Sequence, residues 1–153
     1  MDLGNIKGYY KEKIKSHGTG AEGMDWKSKE SQYLRFQMIT KYIDFSNTPS
    51  ILDVGCGSSE FLNYCNFEKL SCGYLGIDVV EEMVNESNKR FGKGTAILSD
   101  LGNFVGHNKT YDYAIASGTF NLKLKEKEIN LNKEVILSLI KFPLQNLHNK
   151  NKY

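Results

Sequence analysis

The chain carries four short apolar runs, and between them lie segments whose apolar residues recur at helical spacing. Short apolar runs bounded by turn residues are typical of buried strands, and the longer periodic segments indicate helices. The predicted strands are residues 51–54, 74–78, 96–98 and 111–117, and the predicted helices of this region are residues 60–67, 80–91 and 127–142. Strands alternating with helices favour an α/β fold with a doubly wound parallel sheet, because right-handed crossovers place helices on both faces.

The chain before the first strand has helical spacing and no strand pattern. Residues 5–17 predict a weakly amphipathic helix, and Ser28 predicts the N-cap of a second helix over residues 29–44. The predicted buried face of this second helix consists of Leu34, Met38, Ile39, Tyr42 and Ile43. We therefore expect three parts, namely an N-terminal helical cap at 1–48, an α/β core at 49–142 and a polar tail at 143–153.

Two residues of the N-terminal part each have two interpretations. Trp26 follows a glycine-rich loop and either pins that loop to the core or lies over a ligand as a lid. Arg35 lies off the apolar face of the second helix, and it is either solvated or placed near a cofactor carboxylate.

Composition and charge narrow the function classes. The 153 residues suit one domain, and 20 Lys+Arg against 18 Asp+Glu give a net charge of +2, which makes nucleic-acid binding through bulk charge unexpected. No apolar run approaches the roughly 18 residues of a membrane span, and the N-terminus lacks an apolar signal core. We expect a cytoplasmic protein with no membrane partner. The spacings of Cys56, Cys65 and Cys72 match no zinc pattern, so we expect reduced thiols and no metal.

The candidate chemistry lies where the predicted strands end. The first strand runs into a turn with Gly55 and Gly57, and such a turn lets a ligand approach the backbone and the N–H groups of the following helix. The carboxyl ends of parallel strands meet at one edge of a sheet, where ligands bind. Polar side chains follow the other three strands at that edge, namely Asp78, Asp100 and Ser117.

Two nucleotide-binding patterns do not match this turn. A dinucleotide site expects a third glycine where this chain has Glu60, whose charge would face a pyrophosphate. A phosphate-binding P-loop expects Gly-Lys-Ser/Thr, which is absent from the sequence after the turn. Asp53 would also repel a phosphate, but its carboxylate suits a ligand with a positive centre and an ammonium group.

The run Leu52-Asp53-Val54-Gly55-Cys56-Gly57-Ser58-Ser59-Glu60-Phe61 resembles motif I of the class I S-adenosylmethionine-dependent methyltransferases. The resemblance continues through Gly76-Ile77-Asp78, Ser99-Asp100-Leu101 and the predicted fourth strand, and it covers roughly residues 50–120. It implies a Rossmann-like sheet and S-adenosylmethionine as the cofactor. One departure is Ser59, which replaces the glycine often found third in the motif.

The resemblance also implies roles for individual residues. Gly55 and Gly57 would make room for the methionine part of the cofactor, Asp53 would contact that part, and the Cys56 backbone would line the pocket. Asp78 would hold the ribose hydroxyls, Asp100 the adenine amine and the Leu101 N–H a ring nitrogen, with Ser117 near the reactive methyl group. The implied reaction is methyl transfer, and no catalytic residue is assigned.

The acceptor is expected to be a small molecule. The predicted fourth strand lacks the Asp/Asn-Pro-Pro-aromatic pattern of enzymes that methylate amino groups of nucleic acids. The family fold has seven strands in the order 3-2-1-4-5-7-6, so the last three are expected to be missing here, through truncation or a frameshift. The fourth strand would then be an open edge that pairs with a second copy or a partner chain. The alternative function is a non-catalytic cofactor-binding remnant or a regulatory subunit.

Overall fold

The computed structural model describes residues 3–20, 22–24, 26–104 and 110–117. Its strands are β1 (Ser50–Val54), β2 (Gly73–Asp78), β3 (Ala96–Leu98) and β4 (Tyr113–Ile115). They form one sheet in the order β3-β2-β1-β4, and every pair of neighbours is parallel. The predicted Rossmann-like α/β fold is therefore confirmed, with four strands in the described part of the chain.

Helices precede the sheet and connect its strands. They are α1 (Leu3–His17), α2 (Lys29–Thr40), α3 (Glu60–Phe67), α4 (Glu81–Phe91) and the short α5 (Leu101–Phe104), with a 3-10 turn at Glu22–Met24. The structure confirms the predicted helices before β1, after β1 and after β2, whereas α5 was not predicted. The predicted helix over residues 127–142 and the polar tail lie outside the described residues, and the division into cap, core and tail stays a prediction.

The helix α2 starts as predicted but buries a different face. The Ser28 hydroxyl accepts a 3.2 Å hydrogen bond from the Ser31 N–H, which confirms the predicted cap. The predicted apolar face was wrong in part, because Leu34, Met38 and Tyr42 are exposed while Phe36 is buried. Residues two positions apart on a helix point in directions about 200° apart. Because Phe36 faces the core, Leu34 and Met38 therefore face outward. The Phe36 ring packs against Phe61 of α3, with 5.5 Å between ring centroids.

Successive residues of β1 face opposite sides of the sheet, and each side has its own core. Ile51 belongs to a buried cluster with residues of α2 and α3, including Phe61 and Cys65. Leu52 and Val54 belong to a second cluster with residues of β2 and α5. A strand alternates its side chains between the two faces, so Asp53 shares the face of Ile51. The sheet is thus covered on both faces, as the crossovers predict.

None of the helices that the structure describes has the length and apolar character needed to cross a membrane.

Candidate functional site

Residues 55–59 form the turn after β1, which we call the glycine loop. Every second residue of this loop has a positive φ. Gly55, Gly57 and Ser59 have φ values of 69°, 56° and 62°, in the left-handed region that glycine occupies most easily. The N–H groups of Gly55 and Cys56 both donate to the Ile77 carbonyl of β2, at 2.8 and 3.1 Å. The loop is therefore tied to the neighbouring strand before α3 begins.

Asp78 holds the glycine loop from the end of β2. One carboxylate oxygen accepts a hydrogen bond from the Gly57 N–H at 2.8 Å, and the other accepts from the Val80 N–H at 2.9 Å. The second bond lies just before α4. Burial raises the pKa of Asp78, although the hydrogen bonds from Val80 and Gly57 oppose that rise. Asp78 thus joins the loop, β2 and the start of α4 through its two carboxylate oxygens.

Asp53 is buried on β1, and only 3% of it is exposed. The Tyr74 hydroxyl donates to its Oδ2 atom at 2.8 Å. Burial raises the pKa of Asp53 to about 7, the Tyr74 hydrogen bond opposes the rise, and the charge of Asp78 adds to it. The carboxyl group therefore changes its charge near neutral pH.

Gly76 of β2 has no side chain, and this leaves room for the side chains of Cys56 and Tyr74. A Cβ atom there would lie 2.5 Å from the Cys56 sulfur and 3.2 Å from the Tyr74 hydroxyl. Burial, followed by the charges of Asp53 and Asp78, raises the pKa of Cys56 well above its usual value. Cys56 is therefore a neutral thiol that packs in the site.

No basic side chain of the described residues forms an ion pair with Asp53 or Asp78. The acidic residues that do form such pairs there are Glu22, Glu60, Glu82 and Glu86. A buried carboxylate without a positive partner is costly when ionised. The end of β1 and the end of β2 together therefore form a buried acidic site, which suits a ligand with positive charge.

The structure places the remaining predicted residues at the same edge of the sheet. Asp100 accepts a 2.9 Å hydrogen bond from the Asn103 N–H and caps α5, and that bond is the main cause that lowers its pKa. Leu101 begins α5, so its N–H has no acceptor within the helix. Ser117 lies two residues beyond Ile115, which is opposite Asp53 in the sheet. Its hydroxyl is buried and has no hydrogen-bond partner in the described part of the chain.

The predicted site residues therefore fall into two sets. Direct hydrogen bonds or close packing join Asp53, Cys56, Gly57 and Asp78 into one group around Tyr74 and Gly76. Gly55 belongs to the same set, because its N–H donates to the Ile77 carbonyl beside Asp78. Asp100 and Leu101 follow β3 and Ser117 follows β4, the two outer strands of the described sheet, and the Asp100 carboxylate accepts hydrogen bonds from Asn103.

The N-terminal segment lies over the glycine loop. A Cβ atom at Gly57 would lie 2.4 Å from the Met24 sulfur, and the Ser58 hydroxyl donates to the Thr19 carbonyl at 3.2 Å. The exposed Arg35 guanidinium stacks over the Trp26 ring at 5.1 Å from its centroid. Arg35 is thus exposed and in contact with Trp26, and its placement near a cofactor carboxylate stays a prediction.

Glu60 does not face the ligand edge as expected. Its carboxylate pairs with Arg90 of α4 and accepts a 3.1 Å hydrogen bond from the Asn63 side chain. Arg90 also donates to the Ser58 carbonyl at 3.2 Å. The charge of Glu60 is therefore compensated, and Asp53 is the carboxylate that disfavours a pyrophosphate at the glycine loop.

Sequence reasoning missed four residues that shape the site. Tyr74 and Gly76 share the strand face of Asp78, and their period-two spacing before that acid was an available signal. A glycine inside a strand also indicates a close approach by another group. Arg90 and Met24 had no local signal, because each reaches the loop from a distant element.

Comparison with known proteins assigns the chain to a family. A family model described as a methyltransferase domain matches residues 51–139. This chain belongs to the methyltransferase domain family. The match begins at β1 and includes the glycine loop and the ends of all four described strands. The predicted resemblance to the class I S-adenosylmethionine-dependent methyltransferases is confirmed.

Individual relatives agree with this family. A Mycobacterium tuberculosis protein named as a methyltransferase, Rv1506c, is 39% identical over 77 residues, which are 50% of this chain and 45% of that protein. The plantazolicin methyltransferase BpumL is 28% identical to this chain, with a TM-score of 0.52, and the match covers 71% of this chain and 44% of that chain. It was solved in complex with a pentazolic desmethylPZN analog and SAH. A SAM-dependent methyltransferase from Archaeoglobus fulgidus is 26% identical, with a TM-score of 0.51, and the match covers 71% of this chain and 46% of that chain. The methyltransferase match thus covers less than half the length of each of these relatives.

The comparisons also bear on the cofactor class. SAH is S-adenosylhomocysteine, the product left when S-adenosylmethionine gives up its methyl group, and the BpumL structure contains it. S-adenosylmethionine, the cofactor predicted from the sequence, is therefore confirmed as the cofactor class of this methyltransferase family.

Proposed function

We propose that this methyltransferase-family chain binds S-adenosylmethionine at the glycine loop and supports methyl transfer to a small-molecule acceptor. The observation that supports this most directly is the pair of buried carboxylates, Asp53 and Asp78, without a cationic partner among the described residues. S-adenosylmethionine carries a sulfonium and an ammonium group, so its binding would supply positive charge beside them. A pyrophosphate would instead place negative charge there.

The residues at the loop also fit the cofactor in their hydrogen-bonding capacity. Each oxygen of the Asp78 carboxylate accepts one backbone N–H and has a further lone pair, which can accept a ribose hydroxyl. Asp53 would face the ammonium group of the methionine part, and the buried Ser117 hydroxyl would gain a partner. Asp100 and the Leu101 N–H would meet the adenine, and the Cys56 backbone would line the pocket.

The glycine loop supplies the close approach that such a ligand needs. Gly55 and Gly57 present bare backbone, and the Met24 sulfur occupies the space that a side chain at position 57 would take. Binding would therefore bring the cofactor against Met24, and the segment Glu22–Met24 would cover it. The cofactor supplies an activated methyl group, so the chain needs to bind, orient and exclude water.

A small-molecule acceptor fits both the charge and the relatives. The net charge of +2 gives little attraction for nucleic acid. The relative BpumL, a plantazolicin methyltransferase, was solved in complex with a desmethylPZN analog and SAH. No side chain in the described residues is assigned as a general base, because an activated methyl donor requires one only for some acceptors.

Calorimetric titration of the full chain tests the binding step. We expect saturable binding of S-adenosylmethionine and of S-adenosylhomocysteine, and no binding of NAD⁺, whose pyrophosphate would meet the Asp53 carboxylate. Asp78→Asn should weaken both adenosyl ligands at least about tenfold, since it removes a charged acceptor of the ribose hydroxyls. Asp44→Asn is the matched control, because Asp44 is exposed and accepts the Ser46 N–H before β1. Absence of binding at millimolar ligand would overturn the proposal.

Methyl transfer requires its own assay. Methyl-labelled S-adenosylmethionine incubated with the protein and a small-molecule extract should place label on an acceptor and release S-adenosylhomocysteine. A chain that binds both adenosyl ligands but labels no acceptor would support the alternative of a non-catalytic binding subunit.

A further inference from the structure

The end of α3 brings two cysteines together on the face of the sheet that packs α2 and α3. The Leu70 N–H donates to the Cys65 carbonyl at 2.8 Å, and the Lys69 N–H donates to the Asn66 carbonyl at 3.2 Å. Lys69 has φ of 59°, so the chain turns back through a left-handed residue in a Schellman arrangement. The turn returns the chain toward the helix before β2 starts at Gly73.

Cys72 lies on this returning segment. It is partly buried and packs against the cluster that contains Cys65, which is fully buried. The interaction with the Cys65 side chain is the main cause that lowers the pKa of Cys72. The same interaction, together with burial, raises the pKa of Cys65. Cys72 is therefore the thiol of the pair that a dissolved oxidant reaches first, because Cys65 is fully buried and Cys72 is partly exposed.

We propose that Cys65 and Cys72 form an oxidation site, at which hydrogen peroxide converts the two thiols into an intramolecular disulfide. The Cys72 thiolate attacks a peroxide oxygen, the S–O bond forms, the O–O bond breaks and hydroxide leaves, which takes up a proton to become water. The Cys65 sulfur then attacks the Cys72 sulfur, the S–S bond forms, and the departing hydroxide takes the Cys65 proton. The two sulfurs lose two electrons, peroxide gains them, and two waters result.

The oxidation site is separate from the glycine loop. Cys72 precedes the first residue of β2, whereas Asp78 ends that strand, so the two sites lie at opposite ends of β2. Cys56 provides an internal comparison, because it is buried beside two carboxylates that raise its pKa. Among the three thiols, only Cys72 combines partial exposure with a lowered pKa. The proposal therefore does not depend on cofactor binding.

Peptide mapping of the native, full-length protein tests the site. The reduced protein is freed of reductant, treated with hydrogen peroxide, unfolded, alkylated without reduction and digested. We expect a cross-linked peptide pair that contains Cys65 and Cys72, a mass loss of two hydrogens, and alkylated Cys56. A disulfide between two copies of the chain, or a Cys72 that oxidises no faster than in the unfolded chain, would overturn the proposal.

Single substitutions distinguish the two roles. In Cys65→Ser, Cys72 should stop at the sulfenic acid and react with dimedone, because no second thiol is present to displace the hydroxide. In Cys72→Ser, the buried Cys65 should remain reduced under the same treatment. Far-ultraviolet circular dichroism of each variant checks that it is folded. Equal peroxide reactivity of Cys72 in the folded Cys65→Ser variant and of Cys65 in the folded Cys72→Ser variant would contradict the assignment of Cys72 as the attacking thiol.

Discussion

The Tyr74 hydroxyl donates a 2.8 Å hydrogen bond to the buried Asp53 carboxylate of the neighbouring strand. The bond passes over Gly76, where a Cβ atom would lie 3.2 Å from the Tyr74 oxygen. Tyr74 is therefore a hydrogen-bond donor to a carboxylate that no basic side chain of the described residues neutralises. The carboxyl group of Asp53 at the glycine loop therefore ionises only near neutral pH, and its ionised form lowers the stability of the fold.

The Asp53→Asn variant should be more stable than the wild type above neutral pH. Burial raises the pKa of Asp53 from 3.8 to about 7, so the folded chain holds a proton that the unfolded chain has released. The free energy of unfolding should therefore fall as pH rises from about 4 to about 7, by up to about 4 kcal/mol from this group. Asn removes the charge and can still accept the Tyr74 hydrogen bond. Urea unfolding at several pH values measures this difference.

The control for that experiment is Asp44→Asn. Asp44 is an exposed carboxylate whose pKa is lowered by the Ser46 N–H, so its replacement should give no gain at high pH. Equal stability curves for the wild type and Asp53→Asn across the whole range would show that Asp53 ionises normally in the folded chain.

Cofactor affinity should rise with pH through the same window. If the proposed site is correct, the ammonium and sulfonium groups favour ionised Asp53, so S-adenosylmethionine should bind more weakly below the pKa of about 7 and reach a plateau above it. Binding below neutral pH should release a proton, which calorimetry detects as a dependence on the ionisation enthalpy of the buffer. Asp53→Asn should lower the affinity and remove this pH dependence. A wild-type affinity that is constant from about pH 6 to about pH 8 would count against Asp53 as the partner of the ligand's positive charge.

Gly76→Ala should destabilise the fold. The new Cβ atom would lie 2.5 Å from the sulfur and 2.8 Å from the Cβ atom of Cys56, so the glycine loop or β2 must shift. Such overpacking costs about 1–3 kcal/mol. Gly73→Ala in the same strand is the matched control, because its Cβ atom would meet nothing closer than 3.8 Å. Equal unfolding free energies for the two variants would show that position 76 has more room than the structure indicates.

Ser59 combines a costly backbone with a favourable side-chain contact. Its φ of 62° is unfavourable for a non-glycine residue, but its hydroxyl forms a 2.7 Å hydrogen bond with the buried Ser87 hydroxyl. Ser59→Ala keeps the backbone cost and loses the bond, so it should destabilise by about 1–3 kcal/mol. Ser59→Gly relieves the backbone but leaves Ser87 unpaired, so its net effect should be smaller. In a Ser87→Ala background, Ser59→Gly should stabilise by about 1 kcal/mol.

This set forms a double-mutant cycle, and urea denaturation supplies each unfolding free energy. If Ser59→Gly has the same effect in both backgrounds, the hydroxyl pair contributes nothing to stability and the prediction fails.

The elements of the core could be predicted from the sequence because their signals are local. Ala96–Leu98 and Glu60–Phe67 have the predicted bounds, and the run from Asp53 to Gly57 identified the turn. The observed order β3-β2-β1-β4 agrees with the order that the family resemblance implied, whereas right-handed crossovers by themselves determine only the faces on which the helices lie. The acids at the strand ends were predictable for the same reason, since the carboxyl ends of parallel strands share an edge.

Contacts between distant segments were decided only by the tertiary structure. The spacing of α2 allowed more than one buried face, and the aromatic cluster of α3 selected Phe36 over Leu34 and Met38. The Tyr74–Asp53 bond depends on the register that sets Asp53 opposite Gly76, and the Glu60–Arg90 pair depends on how α4 packs beside α3. Apolar periodicity along the chain therefore determined the elements and the edge that holds the site. The charge state of Asp53 and the partners of Glu60 and Cys65 were determined by packing, because burial and proximity depend on residues far apart in sequence.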